Sequence, residues 1–208
     1  MRRKHDPDIK PGILEVFCGP MKCGKSKALK ARYEKLDFIK NGEIEYLVFK
    51  PACDTRSREI KEAQGGLYIE GIVINEQNPF TILNYIDDKH KLALVAIDEA
   101  QFFVKGLDIV VEKLLRNNIN VIVDGLDTDF RGEPFGVMPY LLSMADEVTK
   151  LTARCEYDGC SGVATRSQRL INGKPAHYNS PIILVEGSGQ NEKYLAVCLG
   201  DHIVPGKP

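Results

Sequence analysis

The sequence predicts an α/β fold: a P-loop parallel sheet with flanking helices, followed by a small cysteine-bearing unit. Three observations predict it. Short apolar runs alternate with amphipathic stretches of helical period, which is the pattern of βαβ units. The runs are mostly apolar, without in/out alternation, as expected of strands covered on both faces. After about Thr152 the long helices stop, and cysteines, glycines and prolines take over.

The elements follow in order. Residues 1–11 read as a polar, proline-containing arm. Ile13-Leu14-Glu15-Val16-Phe17-Cys18 is a first strand. A glycine loop follows, and Lys25 to about Ile39 reads as a helix ended near Asn41-Gly42. Tyr46-Leu47-Val48-Phe49 and Leu92-Ala93-Leu94-Val95-Ala96-Ile97 are further strands. Leu107 to Asn117 is helical, Asn120-Val121-Ile122-Val123 is a strand, and Phe135 to Ala145 is a helix. Residues 12–150 thus form a nucleotide-binding domain and residues 151–205 a smaller, loop-rich one.

The 208 residues suffice for a sizeable core without disulfides. Twenty-eight basic against 29 acidic side chains give a net charge of −1, which argues against gripping nucleic acid by bulk charge. No apolar run is long enough for a membrane span, and no signal-type stretch follows the basic start. A cytoplasmic protein with no nucleic-acid or membrane partner is expected. Three of the six cysteines crowd into the last quarter of the chain, as a metal site would require.

Gly19-Pro20-Met21-Lys22-Cys23-Gly24-Lys25-Ser26 fits G-x-x-x-x-G-K-[ST], directly after a strand and opening a helix. Glycines let the backbone curl so that several N–H groups face phosphate oxygens, and the helix N-terminus adds positive potential. Lys25 is placed to reach the β- and γ-phosphates of ATP, and Ser26 to bind Mg²⁺. Asp98-Glu99 ends the most apolar strand, where open α/β sheets place their ligands. Asp98 suits the Walker B role on Mg²⁺, and Glu99 can take a proton from a hydroxyl or a water.

Further motifs extend the pattern: Lys50-Pro51-Ala52-Cys53-Asp54-Thr55-Arg56, Asp98-Glu99-Ala100-Gln101-Phe102-Phe103 and Gly125-Leu126-Asp127-Thr128-Asp129-Phe130-Arg131-Gly132-Glu133-Pro134-Phe135-Gly136. Lys150-Leu151-Thr152-Ala153, Ser167-Gln168-Arg169-Leu170-Ile171 and Tyr194 before Cys198 follow. Together, over residues 12–205, the chain resembles the type II, cytosolic-type thymidine kinases; residues 61–80 match poorly and receive no role.

The resemblance implies transfer of the γ-phosphoryl of ATP to the 5′-hydroxyl of thymidine in nucleotide salvage for DNA synthesis. It makes Glu99 the general base and Asp98 a support of Mg²⁺, and sets Asp54 and Arg56 near the phosphates. Met21, Phe102, Leu126, Phe130 and Phe135 line the nucleoside pocket, and Tyr194 closes over it. The loop Ile183-Leu184-Val185-Glu186-Gly187 is similar to a lasso that reads thymine through backbone groups, with Ile183 and Val185 in contact. Ser167 stands where the family usually carries threonine, beside the thymine methyl. One missing methyl contact is worth about 1–3 kcal/mol, so deoxyuridine is expected to be discriminated less well. A homotetramer and feedback inhibition by dTTP are also implied.

The family carries a structural Zn²⁺ in the small domain. Cys155 and Cys160 are separated by four residues where two are usual, and Cys198 is the third ligand. The fourth falls on Asp201 at the usual spacing or on His202 one residue later; His202 is preferred because imidazole is the commoner zinc ligand. His5, His90 and His177 lack any constellation. Cys18, Cys23 and Cys53 read as packing residues, Cys23 being exposed to oxidation chemistry by its helix N-terminus.

Two rival readings use the same motifs. An ATPase doing mechanical work would use Glu99 to activate water. A zinc-ribbon nucleic-acid binder would use residues 150–208, against the near-neutral charge.

Overall fold

The computed structural model of the chain describes residues 12–38, 45–54, 68–86, 92–183 and 191–208. The arm 1–11, Arg56, His90 and Val185 lie outside the described residues.

Six strands form one sheet: β1 (Leu14–Cys18), β2 (Glu45–Pro51), β3 (Ile72–Ile74), β4 (Leu92–Ile97), β5 (Asn120–Gly125) and β6 (Glu147–Lys150). Their order is β3-β2-β4-β5-β1-β6 and every pairing is parallel. Among the described residues three α-helices accompany the sheet: α1 (Lys25–Tyr33), α2 (Leu107–Arg116) and α3 (Met138–Met144).

The helices cover both faces. On one, Leu29 and Tyr33 of α1 pack with Phe17, Val48, Ala96 and Ile122. On the other, Leu107, Val110, Val111 and Leu114 of α2 and Met138 and Leu141 of α3 pack with Val16, Phe49, Ile97 and Val123. Neighbouring residues of a strand therefore bury their side chains in different cores, which is why these strands read as continuous apolar runs.

Two helix boundaries differ from expectation. α1 ends at Tyr33 and continues as a 3₁₀ turn over Glu34–Phe38, the tightening common at helix ends. α3 begins at Met138, not Phe135. Pro139 lacks an N–H and must sit in the first turn, and Gly136 just before it is left-handed at φ 52°. Two strands were not foreseen. β6 is exposed along its whole length at the sheet edge, so its polar composition hides it. β3 is a three-residue strand inside the poorly matching stretch.

The small unit has two antiparallel pieces. β7 (Ala153–Arg154) pairs with β8 (Val163–Ala164). β9 (Arg166–Ile171) lies between β10 (Lys174–Pro175) and β11 (Glu192–Val197). Arg169 of β9 is fully buried, ion-paired to Glu192 at 2.6 Å and donating to the carbonyl of Pro181.

Candidate active site and metal centre

The loop after β1 needs glycine twice. Gly19 has φ 136°, and a Cβ there would lie 2.2 Å from the Leu151 carbonyl oxygen. Gly24, at φ 91°, opens α1 in a left-handed conformation. Lys25 follows and is buried; its Nζ donates to the Pro20 carbonyl at 2.8 Å, so the ammonium folds back over the loop. The small unit holds this loop from outside. Met21 N–H donates to Ser167 Oγ at 3.0 Å, and Lys22 pairs with Glu156 at 2.7 Å.

At the end of β4, Asp98 is fully buried and its N–H donates to the Phe49 carbonyl at 2.9 Å. Glu99 is left-handed, φ 53° and ψ 45°. That conformation costs a non-glycine residue about 1–2 kcal/mol, so its surroundings must impose it. Its N–H donates to Asp124 Oδ1 of β5 at 2.8 Å. Its carboxylate accepts from Gln101 Nε2 at 2.6 Å, while Gln101 Oε1 accepts from Leu126 N–H at 3.0 Å. Gly136 packs so closely that a Cβ would lie 2.1 Å from the Gln101 carbonyl oxygen.

Neither Asp124 nor Gln101 was singled out from the sequence. Asp124 closes an apolar strand, as Asp98 does, and that shared signal could have found it. Burial raises the Asp124 carboxyl above the usual carboxylate range, helped by the charge of Glu99; Asp98, Lys25 and the Glu99 N–H oppose the shift.

Beside this turn two of the expected pocket residues meet. Phe102 and Phe135 meet edge to face with ring centroids 5.9 Å apart. Leu126, Phe130 and Phe135 are buried, and the Arg169 guanidinium lies 5.0 Å from the Phe130 ring centre. Tyr194 stands opposite Arg169 across the β9–β11 ladder. Ser167 is buried against Met21. Asp54 lies in the turn after β2, its N–H donating to the Pro51 carbonyl at 3.3 Å. Ile183 is exposed, so at that end of the expected lasso no buried contact is formed.

Three thiols and one carboxylate converge in the small unit. The ligand atoms of Cys155, Cys160, Cys198 and Asp201 all lie within 4.8 Å of one another. Cys155 and Cys198 Sγ approach Asp201 Oδ2 to 3.3 and 3.1 Å, and Cys160 and Cys198 Sγ are 4.0 Å apart. Tetrahedral zinc with Zn–S bonds of about 2.3 Å separates its ligands by roughly 3.5–3.8 Å, so the set fits that ion. Cys198 N–H and Gly162 N–H donate to Cys155 and Cys160 Sγ, both at 3.3 Å, which stabilises thiolates.

The preference for His202 is corrected. The 3₁₀ turn Leu199–Asp201 carries Asp201 back over Cys198, with its N–H on the Cys198 carbonyl. His202 leaves the turn extended and puts Nε2 2.9 Å from the Phe130 carbonyl oxygen. Burial lowers the His202 pKa, and the contact with Phe130 links the turn after Cys198 to the pocket loop. Thiols donating to Asp201 hold its carboxyl below the usual range, and the Asp201 bond pushes Cys160 up to about 12.

Of the other cysteines, Cys18 is a packing residue, buried and pushed by that burial to about 11. Cys53 is exposed in the turn after β2, which corrects its reading as a packing residue. Cys23 is also raised by burial, against the pull of Lys25. His177 Nδ1 accepts the Asn179 N–H at 3.2 Å, a turn contact.

Comparison with known proteins agrees over nearly the whole chain. The family model described as Thymidine kinase matches residues 12–202. The thymidine kinase of Coprothermobacter proteolyticus is 46% identical over 197 residues, covering 94% of this chain and 93% of that protein. The thymidine kinase of Mycoplasmoides gallisepticum is 42% identical over 209 residues, covering 100% of this chain and 88% of its own. That of Mycoplasma genitalium is 42% identical over 201 residues, covering 96% and 88%.

Proposed function

The chain belongs to the thymidine kinase family, and from that premise we propose how its own residues carry out the transfer. It is a kinase that phosphorylates thymidine in nucleotide salvage, with ATP as the phosphoryl donor. Lys25 and the amides of residues 19–26 bind the triphosphate, and Asp54 and Arg56 add contacts at its edge. The hydroxyl of Ser26 and the carboxylate of Asp98 are hard oxygen donors that suit Mg²⁺. When bound, Mg²⁺ supplies neutralisation of charge on the β- and γ-phosphates.

Glu99 accepts the proton of the thymidine 5′-hydroxyl as that oxygen attacks the γ-phosphorus and the bond to the ADP oxygen breaks. The products are a thymidine 5′-monophosphate and ADP. The transition state is loose, so positioning counts for more than base strength. Met21, Phe102, Leu126, Phe130 and Phe135 hold the nucleoside, with Tyr194, Ile183 and Val185 closing over it.

One observation carries this reading. Asp124 of β5 sits between the phosphate loop and the Glu99 turn, bonded to Glu99 N–H and within the field of Lys25. Lys25 and Glu99 thus both neighbour the carboxylate at the end of β5, which supports their acting on one phosphoryl group.

The test is transfer from labelled ATP to thymidine, to deoxyuridine and to no nucleoside. Wild type is expected to yield thymidine monophosphate, and Glu99→Gln to lose about 10²–10⁴-fold in turnover. ATP hydrolysis indifferent to the nucleoside would overturn the reading in favour of an ATPase.

Further parts of the proposal rest on the small unit and on kinship. Cys155, Cys160, Cys198 and Asp201 hold a structural zinc, with no position open for water. Ser167, whose Oγ is engaged with Met21 N–H, leaves the thymine methyl one contact short. Kinship supports a homotetramer inhibited by dTTP. Six free cysteines support a reducing, cytoplasmic compartment. Among the described residues no helix is long and apolar enough to cross a membrane.

A further inference from the structure

We propose that Asp124 is the positioning residue for Glu99: its side chain, reaching over from the adjacent strand, sets the turn that aims the general base. This rests on Glu99 being that base.

The β4–β5 ladder ends at the pair Ile97↔Val123. Beyond it the β4 chain turns, and Glu99 N–H no longer faces a ladder carbonyl. Asp124 Oδ1 takes that N–H at 2.8 Å from a site only 1% exposed. A charge-assisted bond is stronger than the amide–carbonyl bond it replaces. On the other flank, the Phe49 carbonyl of β2 holds Asp98 N–H at 2.9 Å. The left-handed residue is therefore held from β5 and the residue before it from β2, and Gln101 fixes the Glu99 carboxylate.

A buried carboxylate is costly to keep, and one N–H could be satisfied by a neutral acceptor. Three charged groups face Asp124, namely Glu99, Asp98 and Lys25. Its role could lie with the base or with the phosphate-binding lysine, and asparagine separates the two. Asparagine keeps an acceptor at the same reach and drops the charge.

The experiment is steady-state phosphoryl transfer to thymidine by the full chain carrying Asp124→Ala, Asp124→Asn, Glu99→Gln or the double change Glu99→Gln with Asp124→Ala. For Asp124→Ala, kcat should fall about 30-fold or more, with KM for thymidine and for ATP within about 3-fold. Asp124→Asn should recover to within about 5-fold of wild type. In the Glu99→Gln background the alanine should cost less than about 3-fold, because the group it aims is gone.

Wild-type kcat in Asp124→Ala overturns the proposal. So does a loss seated in KM for ATP, which would assign Asp124 to Lys25, and so does an asparagine variant as slow as the alanine one. Unchanged turnover in Glu99→Gln is a separate result that removes the base assignment itself. If Asp124→Ala melts below the assay temperature, Asp124→Leu fills the same space without an acceptor and should show the same loss. If that also melts, Asp124→Asn alone decides: kcat near wild type supports the proposal, and a loss as deep as that of Glu99→Gln overturns it.

Discussion

The sheet domain and the small unit are held together by different physics. Among the described residues around the sheet, twenty fully or nearly buried apolar residues form one core and eight form the other. Among the described residues of the small unit the fully buried positions are few, and the largest such side chain is the cation Arg169. Its strands are short, and a four-ligand cluster ties Cys155 and Cys160 to the far end of β11. A large apolar core makes a domain tolerant of single contacts, whereas a small one hangs on a few strong ones. Yet the phosphate loop of the first region leans on the second, through Met21–Ser167 and Lys22–Glu156.

The sharpest way to break the comparison is to remove the proposed zinc. Structural zinc sites contribute apparent free energies of about 10–16 kcal/mol at neutral pH. Strong chelation, or Cys155→Ser, should abolish thymidine phosphorylation while the far-UV helical signal of α1 and α2 persists. Full activity and an unchanged melt after metal is stripped, verified by metal content, would mean the small unit stands on its own contacts.

The converse change is made in the sheet domain. Leu114 of α2 is 1% exposed within the larger core. Leu114→Ala should cost about 2–5 kcal/mol in urea unfolding by lost burial and a residual cavity. Metal content per folded chain should stay the same. A coupled loss of metal would show that the two regions unfold as one.

A smaller effect tests the contact between the regions. Ser167→Thr can keep the bond to Met21 N–H and adds a methyl beside the expected thymine site. The ratio of kcat/KM for thymidine over deoxyuridine should rise, by at most about 1–3 kcal/mol of discrimination. An unchanged ratio would separate Ser167 from base selection.

The smallest is a pH effect inside the sheet domain. Burial pushes the Tyr33 hydroxyl from 10.0 to about 12. A pKa raised by folding contributes stability that is complete below pH 10 and is lost as pH rises toward 12. The melting temperature should therefore fall between pH 10 and 12, and less steeply in Tyr33→Phe. Parallel curves for the two proteins would rule Tyr33 out as the cause.

Legibility differed between the regions for the same physical reason. β1, β2, β4 and β5 were readable because burial on both faces makes a strand apolar at every position. β6 was not, since an edge strand exposed along its length carries Glu147, Thr149 and Lys150 like any loop. In the candidate site, Lys25, Asp98 and Glu99 stood out because the roles proposed for them each demand a residue type at a fixed spacing. Asp124 was hidden: the Glu99 amide it holds lies 25 residues away along the chain, and only the parallel register brings the two together.

The sequence by itself determined the fold class, the phosphate loop and the kinship, because periodicity and local motifs are properties of neighbouring residues. Tertiary structure alone decided which of two adjacent residues joins the thiols. Spacing permitted either Asp201 or His202, but the 3₁₀ turn after Cys198 rotates one toward the cluster and the other toward the Phe130 carbonyl. It decided likewise that a buried aspartate on β5 holds the turn on β4. Backbone direction at a turn and register between strands are set by the packing of the whole molecule, and no short stretch of sequence contains them.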